Sequence, residues 1–136
     1  MITAVDSNVL IDVLEPDPTY GPSSKAALSR CLAEGNVTAC EVVWAEVGTA
    51  YGNKQKALLE ALEMLGIGFS AITQDAALEA SRHWHTYRKR AGARRRIVAD
   101  FLIGAHAMVQ CDRLLSRDRG FYRESYRALK VIDPSR

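Results

Sequence analysis

No apolar run in this sequence approaches the ~20 residues a bilayer span requires, and the start lacks a basic segment followed by a cleavable apolar one. Neither a membrane association nor secretion is expected, and the reading is cytoplasmic. Cysteine is scarce: Cys31, Cys40 and Cys111 are odd in number, far apart and without a CxxC pair. Such a set speaks against a disulfide framework or a zinc site. Histidine is equally thin. His83 and His85 flank Trp84 at a spacing that points them to different helix faces, and His106 reads as a structural or surface residue. No internal repeat, low-complexity tract or linker interrupts the chain. What remains is an ordinary globular composition, 48% hydrophobic and 25% charged over 136 residues, read as one domain, 1–136.

Acidic residues are missing from one place in particular. The stretch "RHWHTYRKRAGARRR", Arg82 to Arg96, carries seven Lys/Arg and no Asp or Glu. Residues 1–81 hold 4 basic and 11 acidic side chains, and residues 82–136 hold 14 and 5, so the net charge of +2 conceals a −7 half and a +9 half. This asymmetry suggests a polyanionic partner. From charge alone a solvated helix end explains it equally well.

Short apolar strands alternate with helical segments. Ile2–Val5 reads as a buried parallel strand, followed by a short helix Val9–Leu14 and a loop at "EPDPTYGP". Ser23 or Ser24 caps a helix to about Ala33, with Gly35 just beyond it. "NVTAC" is a second strand; Glu41–Tyr51 and Asn53–Leu65 are helices; "IGFSAI" is a third strand. Thr73 caps a helix to about Arg90, and Ile97–Cys111 forms another with an apolar stripe. "RLLS", a broken helix over "DRGFYRESYRAL", and "KVI" complete the series. The alternation implies an α/β sandwich around a mostly parallel sheet.

In such sheets ligands bind beyond the carboxyl ends of the strands, where the strand order reverses. Asp6 closes the first strand, Asp118 follows the fourth, Asp100 opens the helix after the arginine run, and Glu46 lies in the helix after the second strand. Glu46 is the telling one. At about 100° per residue it falls between Val42 and Val43, on the side expected to face inward. An ionised carboxylate there needs a partner, and the alternatives are a buried arginine or a metal ion. Asp6 and Asp118 could equally be helix caps, and Asp100 a first-turn acid complementing the helix dipole. Together the four would repel one another unless a cation neutralised them. All-oxygen donors suit Mg²⁺, with Mn²⁺ able to substitute, and such an ion can activate water against a phosphodiester. The arginines ahead of Asp100 would then hold a nucleic-acid backbone.

The segments "VDSNVLIDVL", "EVVWAEV", "ADFLIGAHA" and "LLSRDRGF" resemble the four acidic motifs of PIN-domain ribonucleases, and size and order resemble VapC-type toxins of toxin–antitoxin pairs, over about Ile2 to Ile132. The resemblance implies a five-stranded parallel sheet between helices and Mg²⁺-dependent cleavage of structured RNA such as tRNA. It also implies homodimerisation and inhibition by a VapB-type antitoxin. It makes Asp6, Glu46, Asp100 and Asp118 the catalytic, metal-binding acids, with Asn8 and Ser116 as supporting polar residues. Arg94, Arg95, Arg96 and Arg117 are the expected RNA contacts, and the 53–65 helix the expected antitoxin groove or dimer face. Arg119 and Gly120 stand where some relatives carry further acids, which leaves one ion or two open. Three other readings stand beside this one, the first being a PIN nuclease of RNA processing without an antitoxin. A PIN-like RNA-binding module would need no divalent ion. A response-regulator-like phosphoacceptor lacks its acid in "FSAIT" and its lysine after the last strand.

Overall fold

The computed structural model describes residues 1–90 and 96–135. Five strands form one sheet: β1 (Ile2–Val5), β2 (Asn36–Ala39), β3 (Ile67–Phe69), β4 (Arg113–Leu115) and β5 (Val131–Ile132), in the order β3-β2-β1-β4-β5. Every pairing is parallel. Between the strands run α1 (Ser7–Leu14), α2 (Gly21–Glu34), α3 (Glu41–Gly48), α4 (Gln55–Leu65), α5 (Gln74–Arg90), α6 (Val98–Gln110) and α7 (Arg119–Ser125). Parallel crossovers are right-handed. The chain winds outward from β1 to β3 and then returns to β4, so its helices cover opposite faces of the sheet.

The sequence elements appear with shifted ends. Helix α1 starts at Ser7 rather than Val9, because the Asp6 carboxylate accepts the Ser7 N–H and caps it two residues early. Helix α2 starts at Gly21 with a proline in its first turn, so Ser23 and Ser24 are inside it rather than capping it. Ser24 is buried and donates instead to Asp12 at 2.7 Å. The expected helix to Tyr51 stops at Gly48 and tightens into a 3-10 turn, Thr49–Tyr51. Strand β3 ends at Phe69, with Ser70 to Thr73 leading into α5; the Thr73 hydroxyl accepts the Ala76 N–H, as the capping signal indicated.

The core lies on both sides of β1, β2 and β4. Ala4, Val5, Val37, Leu114 and Leu115 pack against Val9, Leu10, Val43, Val47, Phe101 and Ala105. Arg113 in β4 is also buried. It is kept soluble in that setting by Thr3 Oγ1 and Glu34, both at 2.8 Å, at the amino end of the sheet. His106 is buried on α6, where its Nε2 meets Ser70 Oγ at 3.0 Å and burial lowers its pKa. It is a structural residue.

Helix α6 is held against the chain after α7 by a close approach. The Tyr126 ring lies over Gly104, and its hydroxyl donates to the Phe101 carbonyl at 2.6 Å. A Cβ at position 104 would stand 2.5 Å from Tyr126 Cε2. We expect Gly104→Ala to destabilise the protein by about 1–3 kcal/mol through overpacking, measured as a lowered urea midpoint. An unchanged midpoint would show that the Tyr126 ring moves aside freely.

Candidate active site

The strand order reverses between β1 and β4, and the crevice at their carboxyl ends is where a parallel sheet offers a binding site. Asp6 leaves β1 there, its N–H bonded to the Leu115 carbonyl at 2.9 Å. From β4 the chain runs directly into Ser116, Arg117 and Asp118. Two segments 110 residues apart are thereby set side by side.

Asp6 is buried, at 5% exposure, and no cation touches it among the described residues. Hydrogen bonds hold it instead. Ser116 Oγ donates to Oδ2 at 2.7 Å, the Tyr122 hydroxyl to the same oxygen at 3.1 Å, and the Ser7 N–H to Oδ1 at 2.8 Å. Asn8 Nδ2 lies 3.4 Å from both Asp6 Oδ2 and Ser116 Oγ. Burial raises the Asp6 pKa and outweighs these donors, and the Glu46 charge pushes in the same direction. Asp6 thus caps α1 with Oδ1, while Oδ2 accepts from Ser116, Tyr122 and Asn8.

Glu46 is half-buried at the edge of α3, less inward than its helical phase indicated, and no arginine among the described residues pairs with it. Its Oε1 accepts from Ser7 Oγ at 2.9 Å, and the same hydroxyl lies 3.5 Å from Asp6 Oδ1. One serine therefore links the two acids. Asp100 sits in the first turn of α6, accepts the Ile97 N–H at 3.3 Å, and has its pKa raised by burial and by the nearby Asp118. Asp118 gives α7 no side-chain cap; the Arg96 guanidinium forks onto both of its oxygens and stacks 4.3 Å over Phe121.

Tyr122, buried on the inner side of α7, ties the acids together. Its phenol pKa is driven well up by burial and by the charges of Asp6, Asp100 and Asp118. Hydrogen bonds join Asp6 to Glu46 through the Ser7 hydroxyl and Asp6 to Tyr122 directly, while Asp118 is bonded to Arg96 and Asp100 to the Ile97 N–H.

Two expected RNA contacts are engaged elsewhere. Arg96 is taken up by Asp118, within reach of the Asp100 charge. Arg117 is paired within the fold: its Nε and Nη2 bond the buried Asp12 at 2.7 and 3.1 Å, and its guanidinium lies 4.0 Å over the Tyr20 ring. The Arg117 N–H donates to Asn8 Oδ1 at 3.2 Å, so this residue fixes the turn that carries Ser116 and Asp118. Arg94 and Arg95 lie outside the described residues. Sequence reasoning missed Ser7, Tyr122 and the Asp12–Arg117 pair. Asp12 carried the same signal as Glu46, an acid in an apolar helix. Tyr122 carried a weaker one, an aromatic one turn after Asp118.

The donor set suits a hard divalent cation. The groups around Asp6 are carboxylate and hydroxyl oxygens, and Arg96 forks onto Asp118. In the arrangement seen, no three Asp, Glu, His or Cys side chains among the described residues form a group able to hold a metal ion. Arg96, not a third acid, balances Asp118.

Two expectations follow. Ser116→Ala removes the donor that fixes Asp6 and the acceptor of the Asp118 N–H at 2.9 Å. It should weaken Mn²⁺ binding about 10–100-fold by calorimetry; wild-type affinity would mean that Asp6 is oriented without it. Arg96→Gln should lower the melting temperature in EDTA by leaving acids unneutralised, and Mg²⁺ should restore much of the loss. An EDTA melting temperature equal to wild type would show that the pair contributes nothing to the metal-free fold.

The model of one family, the PIN domain, matches residues 3–124. A search of curated proteins returned no match. Among solved structures, VapBC2 of Rickettsia felis, bound to a promoter DNA fragment, superposes with a TM-score of 0.74 at 15% identity over 98% of each chain. VapBC-1 of nontypeable Haemophilus influenzae gives 0.74 at 16% identity over 100% of each chain. Mycobacterium tuberculosis VapC20, described as a sarcin-ricin loop cleaving toxin, gives 0.55 at 15% identity over 82% of this chain and 86% of its own. At these identities the structural matches establish the fold. With a family match spanning nearly the whole length and the acid crevice at its switch point, the chain belongs to the PIN-domain family, a family of nucleases.

Proposed function

We propose that this protein is a divalent-metal-dependent endoribonuclease and the toxin of a VapBC-type toxin–antitoxin pair. The observation that carries the reading is the buried Asp6 at the β1/β4 crevice, held by Ser116 and Tyr122 and linked to Glu46 through Ser7. The likeness to VapBC assemblies and to an RNA-cleaving toxin supports the choice of partner and substrate. Structured RNA such as tRNA is the substrate we favour, a VapB-type protein the inhibitor, a homodimer the assembly, and the cytoplasm the setting. No helix among the described residues is long and apolar enough to cross a membrane.

Asp6, Glu46 and Asp100 would hold Mg²⁺, or Mn²⁺ in its place, and Asp118 would join them once Arg96 releases it. Bound there, the ion supplies Lewis acidity, lowering the pKa of a water and neutralising charge that develops on the phosphate. The chain's own residues do the rest. Ser116, Tyr122 and the Ser7 N–H keep Asp6 in one orientation, so no reorganisation is needed when substrate arrives. The Ser7 hydroxyl holds Glu46 toward Asp6. Asn8 receives the Arg117 N–H and steadies the turn carrying Asp118. Arg96, freed from Asp118, is positioned to take a phosphate oxygen of the RNA. No side chain is proposed as nucleophile.

A second reading has one observation in its favour: Arg96 occupies Asp118, and the acids as placed do not form a metal-holding group. A PIN-like module that binds RNA without cutting it would look the same. Magnesium titration separates the two. Cleavage that rises with Mg²⁺ and stops in EDTA supports the nuclease; RNA bound and released intact at all Mg²⁺ concentrations supports the module.

Asp6→Ala and Asp100→Asn should each reduce cleavage of a structured RNA by more than the ~100-fold typical of supporting residues. Both should keep the wild-type circular-dichroism spectrum. Asp6→Ala protein cutting at the wild-type rate would remove the assignment. The same substitutions should relieve growth inhibition when the chain is expressed alone.

A further inference from the structure

Five arginines from distant parts of the sequence line two adjoining concavities beside the acid crevice. One concavity, about 270 Å³, lies between the second half of α5 and the chain after α7, lined by Arg82, Arg90 and Arg127 with Thr86 and Ser125. The other, about 180 Å³, lies between α7 and β5 and is lined by Arg119, Arg123 and again Arg127. Arg127 belongs to both, so the two form one continuous basic surface. Helix α7 divides cleanly. At 100° per residue, Phe121 and Tyr122 fall on the inner side, where both are buried. Arg119 and Arg123, at i and i+4, fall together on the opposite edge, about 6 Å apart along the axis. The surface therefore begins next to Asp118 and leads away from it.

Ion pairing leaves part of this charge uncommitted. Glu79 holds Arg82 at 2.6 Å, and Glu124 stands 4.0 Å from Arg90. Arg119, Arg123 and Arg127 make no ion pair among the described residues, and Arg123 and Arg127 are exposed. Every cation lining the two concavities is arginine rather than lysine, the side chain whose planar fork grips phosphate oxygens in pairs. Hydroxyls of Thr86 and Ser125 add donors at the floor.

We infer that Arg119, Arg123 and Arg127, continuing to Arg82 and Arg90, form a track for the phosphate backbone of an RNA whose scissile segment lies at the Asp6 crevice. The inference rests on the nuclease reading for what sits at the crevice. It assigns the substrate a second, sequence-independent contact region on α5 and α7, separate from the arginines around Asp100. A polyanion threading both concavities neutralises several charges at once, so binding through this track must weaken steeply with salt. An acidic protein segment is the competing occupant. RNA is favoured because the track begins at Arg119, next in the chain to Asp118, on the helix whose inner face donates from Tyr122 to Asp6.

The test is binding of a fluorescein-labelled 20-nucleotide RNA to the full chain in EDTA, where no cutting occurs, read by anisotropy between 50 and 300 mM KCl. The double variant Arg123→Gln/Arg127→Gln should bind about 10-fold or more weakly at 100 mM salt. Its slope of log K against log salt should be shallower by about 1.4, two single-strand phosphate contacts. Arg123→Lys/Arg127→Lys should recover most of the slope. Lys54→Gln/Lys56→Gln on the α4 side, equal in charge change, should behave as wild type. A double arginine variant with wild-type affinity and slope overturns the track, as does an equal loss in the lysine control. A glutamate-rich peptide displaced by the double variant's substitutions, while RNA binding is unchanged, overturns it in favour of a protein partner. Cleavage in Mg²⁺ keeps the two proposals apart. The track predicts a raised KM and an unchanged kcat for the double variant. Wild-type cutting with the same KM in both proteins removes the track and leaves the nuclease. Arginine-dependent binding by a wild-type chain that never cuts removes the nuclease and leaves the track.

Discussion

Asp6 is a carboxylate buried to 5% exposure with no cation against it among the described residues, and much of the molecule is arranged to keep it there. An unsupported ionised acid in that position would cost several kcal/mol or give up its charge. Here the support comes from three places in the chain: the amide that starts α1, the hydroxyl of Ser116 after β4, and the phenol of Tyr122 inside α7. Each of those donors is in turn fixed by the sheet or by a helix packed on it. The parallel pairing of β1 with β4 is what brings the second and third to the first.

The same constraint explains the less expected contacts around the crevice. Once Asp6, Glu46, Asp100 and Asp118 are neighbours, their mutual repulsion must be balanced, and Arg96 does part of this by closing on Asp118. A second, deeper ion pair, Asp12 with Arg117, anchors the turn between Ser116 and Asp118 to α1, while Ser24 donates to the same Asp12 Oδ2 that Arg117 Nε reaches. The 116–118 turn is thus gripped from below by Asp12, from the side by Asn8 and from above by Arg96. Hydrogen bonds of this kind restrict where the acids can go, which is what a preorganised electrostatic site requires.

The arginines divide into two populations by what they face. Arg96, Arg113 and Arg117 are consumed by acids of the fold itself, and Arg88 lies over Trp84. Arg119, Arg123 and Arg127 make no ion pair among the described residues; the first two lie on α7, whose other side reaches Asp6 through Tyr122, and Arg127 lies two residues beyond it. Helix α7 is therefore short but two-sided, joining the acid crevice to the basic surface. The charge imbalance of the second half of the chain is real, yet its density along the sequence did not indicate which residues remain open to a polyanion. The run ending at Arg96 is the most densely basic in the sequence, whereas Arg119, Arg123 and Arg127, on α7 and just beyond it, make no ion pair among the described residues.

What the sequence determined by itself was whatever depends on near neighbours. Strand and helix identity, the parallel class, and the four acids all follow from periodicity, capping chemistry and position at strand ends, and the element boundaries erred by only a few residues where a side chain intervened, as Asp6 did for α1. Glu46 was legible because an acid among valines violates helical phase, although Ser7 rather than an arginine meets it. The tertiary structure alone decided the partners. Ser116 and Tyr122 reach Asp6 across 110 and 116 residues, and Arg117 reaches Asp12 across 105. Contacts at such separations leave no trace in local spacing, because they are set by the strand order. Only when β4 returns to lie beside β1 does it become settled which donor meets which acid, and which arginine is left facing solvent.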